Sequence, residues 1–218
     1  MVYDAERARL QRMMRHEKRL LAAGRVRVAG LDEAGRGPLA GPVVAAACIL
    51  PPKVYFRGLN DSKQVVPEER ERLFGELTAH PGVRFGIGIS DVETIDQINI
   101  FHASYLAMKK AVETMAEPPD YLLIDGNHFP KFGIEGEAIV EGDAKSASIA
   151  AASILAKVTR DRIMVELHQT WPQYNFAKHK GYSTEEHQEA IRRHGPSPIH
   201  RKSFERIRNF QQLKMDLG

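Results

Sequence analysis

The sequence contains little that would cross-link the chain or hold it in a membrane. Cys48 is the only cysteine among 218 residues, so neither a disulfide framework nor a cysteine-based zinc site can form within the chain. No basic segment followed by an apolar one opens the sequence, and the apolar run at 43–50 is far shorter than the roughly 20 residues that cross a bilayer. We therefore expect a reduced, cytoplasmic monomer without a signal peptide or a membrane partner.

Charge of one sign is not in large excess, but it is unevenly distributed. The net charge is +3, of which residues 1–28 carry +5, residues 29–169 carry −6 and residues 170–218 carry +4. An acidic middle between basic ends suits a protein that holds cations centrally and binds a polyanion outside. Ordinary surface charge explains the same counts equally well.

The length predicts one medium-sized domain with small additions at its ends. Residues 1–24 are predicted to form a charged N-terminal helix, which is either an extra element or the remnant of a longer region. Residues 25–170 are predicted to form the main domain, and residues 171–218 a basic, helical C-terminal appendage. Apolar runs and alternation predict strands near 26–31, 43–50, 83–89, 121–124 and 138–140, with long helices between or after them. This order indicates an α/β fold with a mixed sheet flanked by helices.

Four acidic residues follow predicted strands, at the edge where α/β proteins place their ligand sites. They are Asp32, Glu33, Asp125 and Asp143. Neighbouring residues on a regular strand point to opposite faces, so we expect the chain to turn at Asp32 and Glu33, helped by Gly35 and Gly37.

The residue types in this acidic set predict a particular kind of metal site. Four carboxylates placed together repel one another unless a cation neutralises them. Oxygen ligands without cysteine or a histidine pair favour Mg²⁺ or Mn²⁺ over zinc. Two such ions about 4 Å apart can activate a water and stabilise the leaving oxygen of a phosphodiester, which gives a 5′-phosphate and a 3′-hydroxyl. Each acid taken alone is equally well a helix cap or a surface residue, and we expect Asp161 to pair with Lys157 instead of binding metal.

A glycine-rich segment follows the first acidic pair. Residues 35–41, Gly-Arg-Gly-Pro-Leu-Ala-Gly, do not match the glycine spacing of a dinucleotide loop, and the next segment is predicted to be a strand where such a loop leads into a helix. A glycine loop beside an acidic pair can still bring backbone groups close to a sugar hydroxyl. The 2′-hydroxyl is the group that distinguishes RNA from DNA.

Residues 31–42, Leu-Asp-Glu-Ala-Gly-Arg-Gly-Pro-Leu-Ala-Gly-Pro, resemble the signature of bacterial ribonuclease HII, a type 2 ribonuclease H. Further segments resemble blocks of the same family in the same order, from about residue 28 to residue 200. They are residues 60–63, 124–126, 142–145, 149–157 and 180–182. The related ribonuclease HIII type carries an additional N-terminal domain for which this chain lacks the length, so the resemblance favours HII.

The resemblance implies a ribonuclease H-like catalytic domain that cuts the RNA strand of RNA/DNA hybrids and removes misincorporated ribonucleotides from duplex DNA. It implies that Asp32, Glu33, Asp125 and Asp143 are both catalytic and metal-binding. The backbone of Gly35, Arg36 and Gly37 is expected to recognise the 2′-hydroxyl at the cut. Tyr182 is expected to pack on the next sugar, so that a deoxyribose fits best and cleavage occurs 5′ of RNA–DNA junctions, single embedded ribonucleotides included.

Other polar residues are interpreted more simply. Five are predicted to contact substrate phosphates through side chains: Arg36, Ser62, Lys63, Lys145 and Ser146. Basic residues of the C-terminal segment, Arg201 among them, are predicted to grip the duplex. His179, His187, His194 and His200 match no common zinc spacing and are expected to be solvated. Two other functions remain open at this point: a hybrid-binding module without catalysis, and a two-metal nuclease that cuts ordinary DNA.

Overall fold

The protein is described by a computed structural model that covers residues 2–216, with side chains described for residues 5–210. Within these residues five strands form one sheet: β1 (Val28–Ala34), β2 (Val43–Ile49), β3 (Arg84–Ser90), β4 (Tyr121–Asp125) and β5 (Gly136–Ile139). The helices that precede or cover the sheet are α1 (Val2–Met13), α2 (Arg15–Ala22), α3 (Pro67–Ala79), α4 (Val92–Glu113), α5 (Gly142–Lys145) and α6 (Ala147–Thr170). The C-terminal helices are α7 (Phe176–His179), α8 (Glu185–His194) and α9 (Glu205–Asp216), after a short 3₁₀ turn at Pro172–Tyr174.

The sheet combines hairpin and crossover connections, as the order of the predicted elements indicates. Its strand order is β3-β2-β1-β4-β5. The β3–β2 and β2–β1 pairs are antiparallel, whereas the β1–β4 and β4–β5 pairs are parallel. The predicted fold class, a mixed sheet flanked by helices, is confirmed. The N-terminal helix predicted within residues 1–24 is instead two helices, because the chain breaks at Met14 between α1 and α2.

Two long helices cover opposite faces of the sheet and form separate cores. Helix α6 packs on one face with α1 and α3, and α4 packs on the other. Gly30 in β1 makes the contact with α6 unusually close, because a Cβ atom at this position would lie 2.1 Å from the backbone carbon of Ser148. At Gly30 the backbones of β1 and α6 are in direct contact, so side chains of β1 can reach α6 only before or after this residue. No helix within residues 2–216 combines the length and the apolar character needed to cross a membrane.

Helix α2 is attached to the start of α6 by a buried carboxylate. Glu17 is 4 % exposed, and one of its oxygens accepts hydrogen bonds from the Ser146 hydroxyl at 2.6 Å and from the backbone N–H and hydroxyl of Ser148 at 3.0 and 2.8 Å. These donors belong to the first turn of α6, where backbone N–H groups lack partners within the helix. Glu17 therefore supplies a hydrogen-bond acceptor to the N-terminus of α6, the helix that packs closest to β1.

The C-terminal segment has a core of its own that reaches back to the main domain. Its buried side chains include Tyr174, Phe176 and Ile191, and they pack against Leu39 and Met164. His179, His187 and His200 are also buried within this segment, at 8, 0 and 0 % exposure. The expectation that they are solvated is wrong, and only His194 is exposed as expected.

Replacing Glu17 by alanine is expected to lower the free energy of unfolding by about 2 kcal/mol or more, because buried donors of Ser146 and Ser148 lose their acceptor. Urea unfolding of Glu17→Ala measures this loss. The control is Glu113→Ala, which removes an exposed ion pair with Lys109 and should change stability by less than about 0.5 kcal/mol. Equal stability of the two variants would contradict the role given to Glu17.

Candidate active site

The first acidic pair lies within β1, where the strand does not turn. Strand β1 continues to Ala34, and its antiparallel register pairs Asp32 with Ala46 and Glu33 with Ala45. The expected turn at this pair is therefore wrong. Asp32 lies on the α6 side, because its partner Ala46 packs in the core below α6, and Glu33 lies on the α4 side, because its partner Ala45 packs in the core below α4.

Strand β4 ends at a third acid, Asp125, which lies next to both faces of β1. Leu31 pairs with Ile124 in the parallel register, so Asp125, the last residue of β4, lies beside Asp32. Past this point β1 has no neighbour on that side, and side chains from both of its faces can reach the open end of β4. This geometry brings Asp32, Glu33 and Asp125 to one edge without a turn in β1.

Asp143 reaches the same edge from the short helix α5, which follows β5. Asp143 follows a strand as predicted, but Glu141, in the left-handed region at φ 56°, first turns the chain into a short helix that the sequence did not predict. The backbone N–H of Gly142 donates a 2.6 Å hydrogen bond to Asp125 Oδ1. This bond connects the end of β4 to the helix that carries Asp143.

The negative charges at this edge are unfavourable together, as the pKa values of Asp32, Glu33 and Asp143 show. Burial, followed by the charges of Glu33 and Asp125, raises the pKa of Asp32 well above its usual value. Burial raises the pKa of Glu33, and Asp125 adds to the effect although Arg36 opposes it. Burial and the charges of Asp125 and Asp61 raise the pKa of Asp143 to about 6. A bound cation would reverse each of these effects by favouring the charged form.

Asp61 is a fifth acid at this edge that the sequence reasoning missed. It is 9 % exposed, it adds to the rise in the pKa of Asp143, and its carboxylate accepts a hydrogen bond from the backbone N–H of Lys63 at 2.9 Å. The ammonium group of Lys63 lies 3.9 Å from Asp143 Oδ2. The only signal for Asp61 in the sequence was its place in the block at 60–63, because no predicted strand leads into it.

The donor set fits a hard divalent cation. All four predicted ligands offer carboxylate oxygens, and the cations that approach them are the side chains of Lys63 and Arg36, the latter 3.3 Å from Glu33 Oε1. Among residues 2–216, no three aspartate, glutamate, histidine or cysteine side chains converge closely enough to form a complete ligand set. Carboxylate oxygens are nevertheless the ligands that Mg²⁺ and Mn²⁺ prefer.

The glycine loop, residues 35–42, directs its first carbonyl groups inward. The guanidinium group of buried Arg201 donates to the Gly35 oxygen at 2.6 Å and to the Arg36 oxygen at 2.9 Å. In a trans peptide the next N–H points opposite to the carbonyl, so the N–H groups of Arg36 and Gly37 point outward. Neither has an acceptor among the described residues. The loop thus presents two free donors beside the acids.

Tyr182 lies in a turn next to this loop. Its side chain is 43 % exposed, and Lys157 Nζ and the Arg160 guanidinium carbon lie 5.8 and 5.9 Å from the centre of its ring. The Gly181 carbonyl accepts a 2.8 Å hydrogen bond from the backbone N–H of Leu39, within the glycine loop. An exposed ring among cations is therefore held against the loop that presents the free donors.

Several predicted phosphate contacts have other roles in the structure. The Ser146 hydroxyl is fully buried on Glu17, and the Ser62 hydroxyl is buried and accepts from Ser153 at 2.9 Å. Lys145 is partly buried, and its ammonium group donates to the Val140 carbonyl at 2.7 Å. Arg201 is fully buried, so its predicted place on the surface that grips the duplex is wrong. Lys63 and Arg36 remain available beside the acids.

The pairing expected for Asp161 is confirmed, since Lys157 Nζ donates to its carboxylate at 2.7 Å. Both residues lie one turn apart on α6, and each side chain is mostly buried. Asp161 therefore has a partner of its own and stays outside the acidic site.

Comparison with known proteins shows similarity to one family over most of the chain. Residues 29–207 match the family model described as Ribonuclease HII. A Ribonuclease HII from Geobacillus kaustophilus (strain HTA426) is 54 % identical over 200 residues, which cover 92 % of this chain and 76 % of the relative. The crystal structure of ribonuclease H2 from Pyrococcus horikoshii OT3 superposes with a TM-score of 0.70 at 28 % identity, over 86 % of this chain and 98 % of that one. Bst-RNase HIII, crystallised in complex with Mn²⁺, shares the fold, with a TM-score of 0.60 at 19 % identity over 86 % of this chain and 70 % of that one.

Replacing Asp143 by asparagine is expected to raise the melting temperature by a few degrees in EDTA, because about 1 kcal/mol of relieved repulsion moves a chain of this length by roughly 2–4 °C. Added Mn²⁺ should then stabilise the wild-type protein much more than the variant, since a ligand stabilises the state that binds it. Thermal melts with and without Mn²⁺ measure both effects. Asp161→Asn is the matched control and should keep the full response to Mn²⁺, whereas an undiminished response in Asp143→Asn would remove Asp143 from the ligand set.

Proposed function

Since the chain belongs to the ribonuclease HII family and is therefore an endoribonuclease that acts on RNA/DNA hybrids, we propose that it also cuts 5′ of RNA–DNA junctions at single ribonucleotides embedded in duplex DNA. The products are a 5′-phosphate and a 3′-hydroxyl, and the role that follows is the removal of misincorporated ribonucleotides. One observation carries the proposal: the outward N–H groups of Arg36 and Gly37 lie on the loop that directly follows Asp32 and Glu33.

The acids Asp32, Glu33, Asp125 and Asp143 are proposed to hold two Mg²⁺ or Mn²⁺ ions when the substrate is bound. These ions supply an activated water on one side of the phosphodiester and charge stabilisation of the leaving oxygen on the other. The buried position of Asp32 and the bond from Gly142 to Asp125 keep these ligands in fixed directions. The Mn²⁺ in the Bst-RNase HIII crystal is one of the two kinds of ion proposed here.

Lys63 is proposed to exchange its contact with Asp143 for the substrate. Its ammonium group is held near the acids by charge alone, at 3.9 Å from Asp143 Oδ2, and its side chain is otherwise exposed. When cations neutralise the acids, the ammonium is free to bind a phosphate oxygen of the strand. Arg36, held at 3.3 Å from Glu33, is positioned to act in the same way.

Ribose recognition is assigned to the backbone of Gly35, Arg36 and Gly37. A 2′-hydroxyl can accept hydrogen bonds from the outward N–H groups, whereas a deoxyribose leaves them without a partner in a closed complex. Leaving a donor unsatisfied costs about 1–3 kcal/mol. A substrate without the ribose is therefore disfavoured by the backbone itself, whatever base it carries.

Tyr182 is assigned to the following sugar. Its exposed ring can pack on a deoxyribose, while the nearby cations Lys157 and Arg160 favour the adjoining phosphate electrostatically. A 2′-hydroxyl on this second sugar would place a polar group against the ring. The combination of a hydroxyl required at one sugar and disfavoured at the next selects an RNA–DNA junction.

A DNA duplex with one ribonucleotide is expected to be cut once, 5′ of that ribonucleotide, in the presence of Mg²⁺ or Mn²⁺. The same duplex without the ribose should stay intact, which separates this function from that of an ordinary DNA nuclease. Asp125→Asn should slow cleavage by more than about 100-fold through the loss of a metal ligand, with duplex binding in gel-shift assays largely unchanged. An uncut single-ribonucleotide duplex, with the wild-type protein folded and active on a uniform hybrid, would overturn the junction proposal.

Tyr182→Ala is expected to lower the preference for a junction over a uniform hybrid by about tenfold, which corresponds to about 1.4 kcal/mol of lost sugar packing. The ratio of kcat/KM values on the two substrates measures this preference. Tyr182→Phe retains the ring and should keep the ratio. An unchanged ratio in Tyr182→Ala would show that the ring does not contact the second sugar.

A further inference from the structure

Two arginine side chains are fully buried at the base of the glycine loop. Arg160 and Arg201 are both 0 % exposed, and neither forms an ion pair with a carboxylate among residues 5–210, whose side chains the structure describes. Burial lowers the pKa of Arg160, and burial together with the charge of Arg160 lowers the pKa of Arg201 to about 9. Burying guanidinium groups without counter-charges is costly, so their hydrogen bonds are the feature that needs an explanation.

Arg201 donates only to the glycine loop. Its four hydrogen bonds reach the carbonyl oxygens of Gly35, Arg36, Gly41 and Pro42, at 2.6, 2.9, 3.0 and 3.2 Å. These contacts set the direction of the first two peptide planes, and hence of the outward N–H groups. Arg201 therefore acts on the loop alone.

Arg160 donates to the glycine loop and to the turn that carries Tyr182. Its bonds reach the oxygens of Ala40 and Pro42 at 3.1 and 3.0 Å, and the oxygen of Lys180 at 3.0 Å. Gly35, at φ +101°, gives this side chain its space, because a Cβ atom there would lie 2.1 Å from Arg160 Nε. A single guanidinium group thus joins the two segments that are assigned to successive sugars.

His187 holds the Tyr182 turn from the opposite side. Its Nδ1 lies 2.9 Å from the Tyr182 carbonyl oxygen, to which it must donate, so in the neutral ring Nε2 is an acceptor. His200 Nε2, 3.0 Å away, is then the donor, and His200 Nδ1 accepts from the backbone N–H of Ser197 at 2.8 Å. Burial lowers the pKa of His187 to about 4 and that of His200 to about 3, which keeps both rings neutral. His187 therefore acts on the turn and makes no described hydrogen bond to the glycine loop.

We propose that Arg160 is the positioning residue that sets the spacing between the ribose-recognising loop and Tyr182, while Arg201 positions the loop alone and His187 positions the Tyr182 turn alone. The inference rests on the proposed function, because this spacing matters only if the two segments contact successive sugars. A shift in the spacing would allow the 2′-hydroxyl contact or the deoxyribose contact, but not both in one complex.

The test compares two properties across the three positions. Ribose discrimination is the ratio of dissociation constants for a DNA duplex and for the same duplex with one ribonucleotide, measured in Ca²⁺ to prevent cleavage. Junction preference is the ratio of kcat/KM for that single-ribonucleotide duplex and for a uniform hybrid, measured in Mg²⁺. Loss of overall stability alone would change neither ratio, so both report on positioning.

Each variant has a distinct expected result. Arg201→Lys should lower ribose discrimination by about tenfold, the effect of one lost hydrogen bond, and leave junction preference within about twofold. His187→Gln, which loses the Nδ1 donor, should lower junction preference only, whereas His187→Asn, which can retain a donor there, should keep it near the wild-type value. Arg160→Lys should lower both ratios. Arg84→Lys, which alters an exposed ion pair with Glu117, is the control and should change neither.

Several outcomes would overturn the proposal. If Arg160→Lys changes neither ratio, or if Arg201→Lys and His187→Gln each lower both, the division of roles is wrong. Should Arg160→Lys fail to fold, Arg160→Gln and the two His187 variants still test the same division. A wild-type protein that shows neither ribose discrimination nor junction preference refutes the proposed function itself. Wild-type ratios that are high but unaffected in every variant refute only the positioning roles.

Discussion

The structure around the candidate active site depends on the need of two buried guanidinium groups for hydrogen-bond acceptors. With no carboxylate partner among the described side chains, Arg160 and Arg201 are satisfied by carbonyl oxygens of the glycine loop and of Lys180. Where the carbonyls of Gly35 and Arg36 turn inward to meet Arg201, the N–H groups of Arg36 and Gly37 that follow them turn outward. The same bonds attach the C-terminal segment to the sheet, since Arg201 lies between α8 and α9 while its acceptors follow β1. The hydrogen bonds that satisfy the buried arginines are thus the same bonds that set the direction of the N–H groups proposed to recognise the ribose.

The acids beside the loop are arranged by a second constraint, the unequal lengths of neighbouring strands. Because β4 ends at Asp125 while β1 continues to Ala34, side chains from opposite faces of β1 meet at one edge of the sheet. Burial raises the pKa values of Asp32 and Glu33, and the nearby acidic charges raise them further, so the folded chain holds unfavourable charge at this edge. That repulsion is the physical reason to propose divalent cations here, because a bound cation would remove it and stabilise the fold.

The sequence was sufficient for the fold class and for four of the acids that lie at this edge of the sheet, but not for how they meet. Periodicity and strand composition located the long helix that became α6 and strands close to β2, β3 and β4. Neighbouring residues of a strand point to opposite faces, so a turn was predicted at Asp32 and Glu33. The sequence near β4 does not show that this strand ends before β1, which is what lets both side chains reach one edge. Arg201 and His187 were expected at the surface, since residue type and local charge cannot show that buried carbonyls or a second histidine lie opposite them. Asp61 was missed for a similar reason, as its contact with Asp143 is made between distant segments.

The central claim is that a preformed backbone surface recognises the ribose beside a carboxylate metal site. The most direct measurement is a crystal structure with Ca²⁺ and a DNA duplex that contains one ribonucleotide. The account predicts cations on Asp32, Glu33, Asp125 and Asp143, a glycine loop still bonded to Arg201, and the 2′-oxygen about 3 Å from the N–H nitrogen of Arg36 or Gly37. A loop that leaves Arg201 on binding, or a 2′-hydroxyl that contacts neither N–H group, would contradict it.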